Sequence, residues 1–176
     1  MIDAQYTPGP ASGAQVRKDG EKWTLILTRD LRHSPEKVWQ ALTDPAQLRE
    51  WAPFDIEGSL DAVGTVKLTW LGARPAPIET KVKRVEAPSL LEYGDIRWEL
   101  AELGGGTRLT LWINIPRNFI AWGAAGWHIC FDVLDRRLAG TPIARMAGPE
   151  AMKFEGWQRL RAEYAKQFGV EGGAKA

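Results

Sequence analysis

Few residues in this sequence could move a proton or attack a bond. The chain holds two histidines, His33 and His128, and a single cysteine, Cys130. Asp132 and Asp135 follow His128 at i+4 and i+7, and Arg136 follows Asp132 at i+4, so on a helix the four share a face. A histidine oriented by Asp132, its ring reaching a cavity mouth, has the parts of a general acid–base group. The plainer reading is a surface or half-buried ion network on the outer side of that helix, and no partner nucleophile accompanies it. His33 precedes a helix cap at Ser34 and reads as a solvated turn residue. Cys130 lies in an apolar run and reads as a buried, inert thiol. Alone, it excludes an intrachain disulfide and a metal site of several thiolates.

Other chemical signatures are missing. There is no G-x-S-x-G elbow, no G-x-x-x-x-G-K-[ST] loop and no H-E-x-x-H pair. Gly104-Gly105-Gly106 stands between two strand patterns and reads as a hairpin turn. The spacing of His, Cys, Asp and Glu suits no metal ion, and no cofactor is expected. Asp55, Glu57 and Asp61 read as solvated loop carboxylates. Lys81, Lys83 and Arg84 are flanked by Glu79 and Glu86, which argues against a nucleic-acid surface. With 23 basic and 22 acidic residues the formal charge is +1, so no global field draws in polyanions.

Aromatic residues are the remaining candidates. Nine tryptophans stand beside five phenylalanines and three tyrosines, enough for bulky interior walls with a few N–H handles. Trp51, Phe54, Trp70, Tyr93, Trp98, Leu111, Gly123, Trp127, His128 and Phe131 form the expected binding set. In this reading small residues on a helix face large residues on a sheet and leave volume between them. Thr69, Tyr93, His128 and indole N–H groups are its polar handles. The alternative is that the same rings simply fill a core.

The elements that must position these side chains follow from periodicity. Asn118–Gly140 reads as one long helix, with Ala124, Trp127, Phe131, Leu134 and Leu138 drawing a single stripe. Gly123 and Gly126 lie inside it although each costs about 1 kcal/mol relative to alanine, so close packing or empty space must require them. Asp19-Gly20 marks a hairpin turn before the strand Trp23–Leu31. Ser34-Pro35 starts a short helix, and Asp44-Pro45 starts a second with Gln47 at the capping-box spacing. From Phe54 to Ile115 strand patterns alternate with turns, which gives an antiparallel meander with one oily face. A last helix is expected over Glu150–Phe168, closed by Gly169.

Residues 14–169 therefore read as one domain, between a disordered segment 1–13 and a disordered tail 170–176. No secretory signal is visible and the apolar run Phe119–Ile129 is too short to span a membrane, so the expectation is a cytoplasmic protein.

The run HSPEKVWQALTDPAQLREW (His33–Trp51) resembles the opening of the SRPBCC superfamily, also called START-like or birch-pollen-allergen-like. GGGTRLTL (Gly104–Leu111), GWHICFDVLDRRLAG (Gly126–Gly140) and GWQRLRAEYAKQFG (Gly156–Gly169) extend the likeness. They place it near the bacterial relatives of the C-terminal domain of the heat-shock-protein-ninety ATPase activator. The resemblance implies an α+β helix-grip fold: a curved antiparallel sheet wrapped around a long C-terminal helix, with two short helices after the first long strand. It also implies a cavity for an apolar molecule and brings no shared catalytic set. Three functions follow as expectations. The first is a binding protein for a small hydrophobic or aromatic molecule. The second is an interaction module for a chaperone or other protein, and the third, less favoured, is an enzyme of the polyketide-cyclase type.

Overall fold

The computed structural model describes residues 6–72 and 74–170. Strands β1 (Ala14–Asp19) and β2 (Lys22–Leu31) form the first hairpin, with Gly20 at φ 62° in its turn. Helices α1 (Pro35–Thr43) and α2 (Pro45–Leu48) follow. Next come β3 (Phe54–Glu57), β4 (Gly64–Trp70), β5 (Ile78–Glu86), β6 (Leu90–Tyr93), β7 (Ile96–Leu103) and β8 (Gly106–Asn114). A 3₁₀ turn (Arg117–Phe119) leads into α3 (Ile120–Leu138), then α4 (Pro149–Met152) and α5 (Glu155–Phe168).

All eight strands join one antiparallel sheet in the order β1-β2-β8-β7-β6-β5-β4-β3. The long strands keep the two-residue alternation, so one face carries the apolar set, except that β5 shifts register between Val82 and Arg84. Leu25 and Leu27 stand opposite Ile113 and Leu111, which stand in turn opposite Ile96 and Trp98. The sheet curls into a half-barrel and α3 lies in its grip, the α+β helix-grip arrangement expected from the sequence.

Local signals explain the helix starts. Ser34 accepts a hydrogen bond from Lys37 N at 3.2 Å and Asp44 from Ala46 N at 2.9 Å, each with proline at the first helical position. The capping box does not form: Asp44 N donates to Gln40 O instead, because it also closes α1. Trp51 falls beyond α2 and is fully buried, its indole N–H donating to Ala41 O at 3.0 Å.

Two further expectations change. The last helix is not continuous, because the chain turns at Lys153–Phe154 and restarts at Glu155. Phe154 leaves the helical stripe to pack on Tyr6, ring centroids 5.9 Å apart. Residues 1–5 and 171–176 lie outside the described residues, but Tyr6–Ser12 is laid against the helices rather than free. Tyr6 is buried, its hydroxyl donating to Asp132, and Ser12 N donates to the Tyr164 hydroxyl at 3.2 Å. No described helix is long and apolar enough to cross a membrane.

Candidate ligand-binding cavity

The middle of the grip is packed solid. Trp51, Phe54, Tyr93, Trp98, Leu111 and Phe131 are all fully buried. Trp98 meets Trp51 and Trp127 edge to face at 6.0 and 5.7 Å, and Phe54 meets Trp127 at 6.0 Å. Such pairs contribute about 0.5–1.5 kcal/mol each beyond area burial. The Trp98 N–H donates to the Tyr93 hydroxyl at 3.0 Å, so this pair of polar handles is spent inside the core. Burial without an acidic partner pushes the Tyr93 phenol pKa up. These six members of the expected binding set therefore fill the core and do not line the cavity beside it, because the indole rings occupy the space the small helix residues were expected to leave.

Open space exists one step away, at the N-terminal half of α3. A cavity of about 620 Å³ lies between that half-helix, the ends of β4 and β8, and the chain from Met146 to Trp157. Of the expected set, Trp70, Gly123 and Trp127 line it. Helical spacing explains why α3 presents it: Trp122, Gly126 and Cys130 stand four apart in one row, and Gly123 and Trp127 form the adjacent row. The two glycines act differently. A Cβ on Gly123 would stand 2.5 Å from Ile115 Cδ1, so that glycine permits close packing. A Cβ on Gly126 would meet only Trp157 Nε1, at 3.9 Å, so that glycine opens space.

The walls are aromatic and uncharged. Trp70 and Trp127 stand perpendicular at 6.4 Å, as do Trp122 and Trp157 at 6.1 Å. Trp70 and Phe119 are 36% and 40% exposed and form the rim. No Asp, Glu, Lys, Arg or His lines the cavity. Arg145 fastens the loop that forms its outer wall: its guanidinium donates to Ala52 O at 2.6 Å and Phe54 O at 2.8 Å and meets Asp55 at 2.9 Å. Gly148, at φ 73°, lets the same loop press against Leu71. Cys130 is buried at the cavity floor, and desolvation pushes its thiol up to about 12.

His128 corrects the sequence reading most sharply. It is not at the cavity mouth, and it is buried more deeply than a surface or half-buried network, 3% exposed beneath α5 and the N-terminal segment. Its Nδ1 lies 2.6 Å from the Tyr164 hydroxyl, and that hydroxyl donates to Ser12 O at 3.0 Å. Asp132 lies 3.8 Å from Nε2, while its oxygens are taken by Tyr6 and by Arg29 at 2.6 Å. Desolvation lowers the His128 pKa more than Asp132 raises it, which favours the neutral ring. Burial likewise pushes Tyr164 up to about 12. This cluster ties together four segments, the N-terminal stretch, β2, α3 and α5, and none of its residues lines the cavity. His33 is half-buried, 3.8 Å from Asp135, with its carbonyl accepting from Thr107. Among the described residues no three His, Cys, Asp or Glu side chains gather as a metal ion requires.

Sequence reasoning missed Phe119, Trp122, Cys130 and Trp157 as lining residues and left Gly126 between close packing and empty space. The row Trp122–Gly126–Cys130 was a legible signal, since it repeats every four residues beside the core stripe. The folded-back course of Met146–Met152 had no such signal.

Comparison with known proteins agrees with this fold. Residues 32–139 match the family described as Activator of Hsp90 ATPase homolog 1-like protein. No curated protein matches the chain. Among solved structures, a conserved protein of unknown function from Enterococcus faecalis is similar at TM-score 0.66 and 20% identity, over 90% of this chain and 92% of that one. CalU16 from Micromonospora echinospora is similar at TM-score 0.60 and 23% identity, over 87% and 93%. A protein from Rhodobacter sphaeroides is similar at TM-score 0.57 and 23% identity, over 72% and 98%. At these identities the likeness speaks for the fold alone. With the family match covering the chain from the end of β2 through α3, the protein belongs to the Activator of Hsp90 ATPase homolog 1-like family.

Proposed function

We propose that this protein binds a small hydrophobic or aromatic molecule in the cavity at the N-terminal half of α3, without making or breaking a bond. The observation that carries the reading is an open, uncharged hollow of about 620 Å³ with Trp70, Trp122, Trp127 and Trp157 in its walls. That size falls within the roughly 300–1,000 Å³ of ordinary small-molecule sites. Burying roughly 200 Å² of apolar ligand surface at about 25 cal/mol per Å² supplies roughly 5 kcal/mol before association costs. The sealed position of His128 and the high pKa of Cys130 supply no reactive group to the cavity.

Titration with a neutral apolar dye such as N-phenyl-naphthylamine, followed by tryptophan emission, tests the reading. Saturable quenching and a competing panel of apolar molecules are expected. An emission spectrum unmoved across the panel removes the proposal. The family description favours a second reading, a partner-binding module acting on a chaperone ATPase. The exposed Trp70 and Phe119 at the rim would then be its contact points. Stimulation of such an ATPase by the purified protein, lost on Phe119→Asp, would put that reading first.

A further inference from the structure

We propose that the cavity selects an uncharged, ring-bearing molecule with one hydrogen-bond acceptor, and that the indole N–H of Trp157 is the donor that recognises it. The inference rests on the cavity being the binding site.

An ionised ligand has nothing to pair with there. The lining holds no charged side chain, and leaving an ion unpaired in an apolar site is costly. Arg145, the cation nearest in the chain to the lining loop, is occupied by Ala52 O, Phe54 O and Asp55. Arg161 lies 5.5 Å from the Trp157 ring centroid but does not line the cavity.

Among the polar side chains of the lining, the donors left are indole N–H groups: those of Trp70, Trp122, Trp127 and Trp157 have no hydrogen-bond partner among the described residues. Asn114 alternates with the core-facing Ile113, and its Oδ1 accepts from Thr24 on the neighbouring strand at 2.9 Å, which turns the amide to the opposite face of the sheet. The Cys130 thiol points to Met146 O at 3.8 Å. Trp157 is buried, yet its Nε1 has no hydrogen-bond partner among the described residues and is not enclosed. That nitrogen is the atom nearest to the missing Cβ of Gly126, itself a lining residue, at 3.9 Å. Glycine at 126 thus clears the approach to this donor in particular, whereas Trp70 stands at the exposed rim. Around it, perpendicular indoles present ring faces and edges that suit a flat aromatic body.

Isothermal titration with naphthalene, its methyl ketone acetylnaphthalene and its carboxylate naphthoate separates the outcomes. The ketone is expected to bind about fivefold tighter than the hydrocarbon, the worth of one neutral hydrogen bond. Naphthoate is expected at least about tenfold weaker than the hydrocarbon. Trp157→Phe should erase the ketone's advantage while leaving naphthalene within about twofold. Gly126→Ala, which places a methyl before the N–H, should do the same if Trp157→Phe does not fold. Equal binding of ketone and hydrocarbon to the native protein overturns the inference and leaves the cavity reading standing, the N–H then being spent on the Trp122 ring. Tightest binding by naphthoate overturns it as well. No heat with any of the three removes both.

Discussion

Replacing Gly126 by alanine should raise the stability of the protein, an unusual result for a half-buried glycine in a packed helix. The magnitude follows from two terms. Glycine in a helix interior is less favourable than alanine by about 0.8–1 kcal/mol. Steric cost is nearly zero, because the new Cβ meets only Trp157 Nε1, at 3.9 Å. For a chain of this length the gain corresponds to a melting temperature higher by about 2–4 °C. Gly123→Ala is the control: the same propensity gain applies, but the Cβ lands 2.5 Å from Ile115 Cδ1 and forces that side chain aside. A displaced rotamer costs about 0.5–1.5 kcal/mol, so the two effects cancel and the melting temperature should stay within about 2 °C. Thermal melts by far-ultraviolet circular dichroism on the two variants and the native protein measure the difference. A Gly126→Ala melting point below that of the native protein would refute the reasoning, since it would mean that the space beside Gly126 is not open.

Three other outcomes follow from the same geometry. Arg145→Ala removes the charged clamp on the Thr141–Gly148 loop, costs about 2–3 kcal/mol in denaturant unfolding and speeds amide exchange in that loop. Tyr164→Phe strips the hydroxyl that serves Ser12 and His128; it should cost about 1–3 kcal/mol and expose the segment around Ser12 to limited proteolysis. Stability should also fall as pH drops below 6.5, the ordinary histidine value. The folded His128 pKa is lowered by burial, so the unfolded chain takes up the proton first, and stability present above 6.5 is lost toward the folded pKa. Unfolding free energies between pH 7 and pH 5 measure this slope, and His128→Gln should flatten it.

The sequence by itself determined the elements and their order. Alternation from Gly64 to Ile115 and the stripe from Ala124 to Leu138 specify a sheet with one oily face and a helix to cover it, because side-chain direction follows from backbone period alone. Ser34, Asp44 and Gly169 marked helix ends through local hydrogen bonds and a positive φ of 66° at Gly169, which depend only on near neighbours. Tertiary structure decided where volume was left over. Trp51, Trp98 and Phe131 are large aromatic residues like Trp70, Trp122 and Trp157, yet the first three close the core while the second three wall a cavity. Which outcome a ring meets depends on segments more than eighty residues apart in sequence, such as Trp157 of α5 and Trp70 at the end of β4, which wall one cavity together. The same holds for His128: its helical neighbours announced an ion network, and only the arrival of Tyr164 and Ser12 from the two ends of the chain sealed it from solvent. Period is a local property of the chain, whereas emptiness is what remains after every distant segment has been placed.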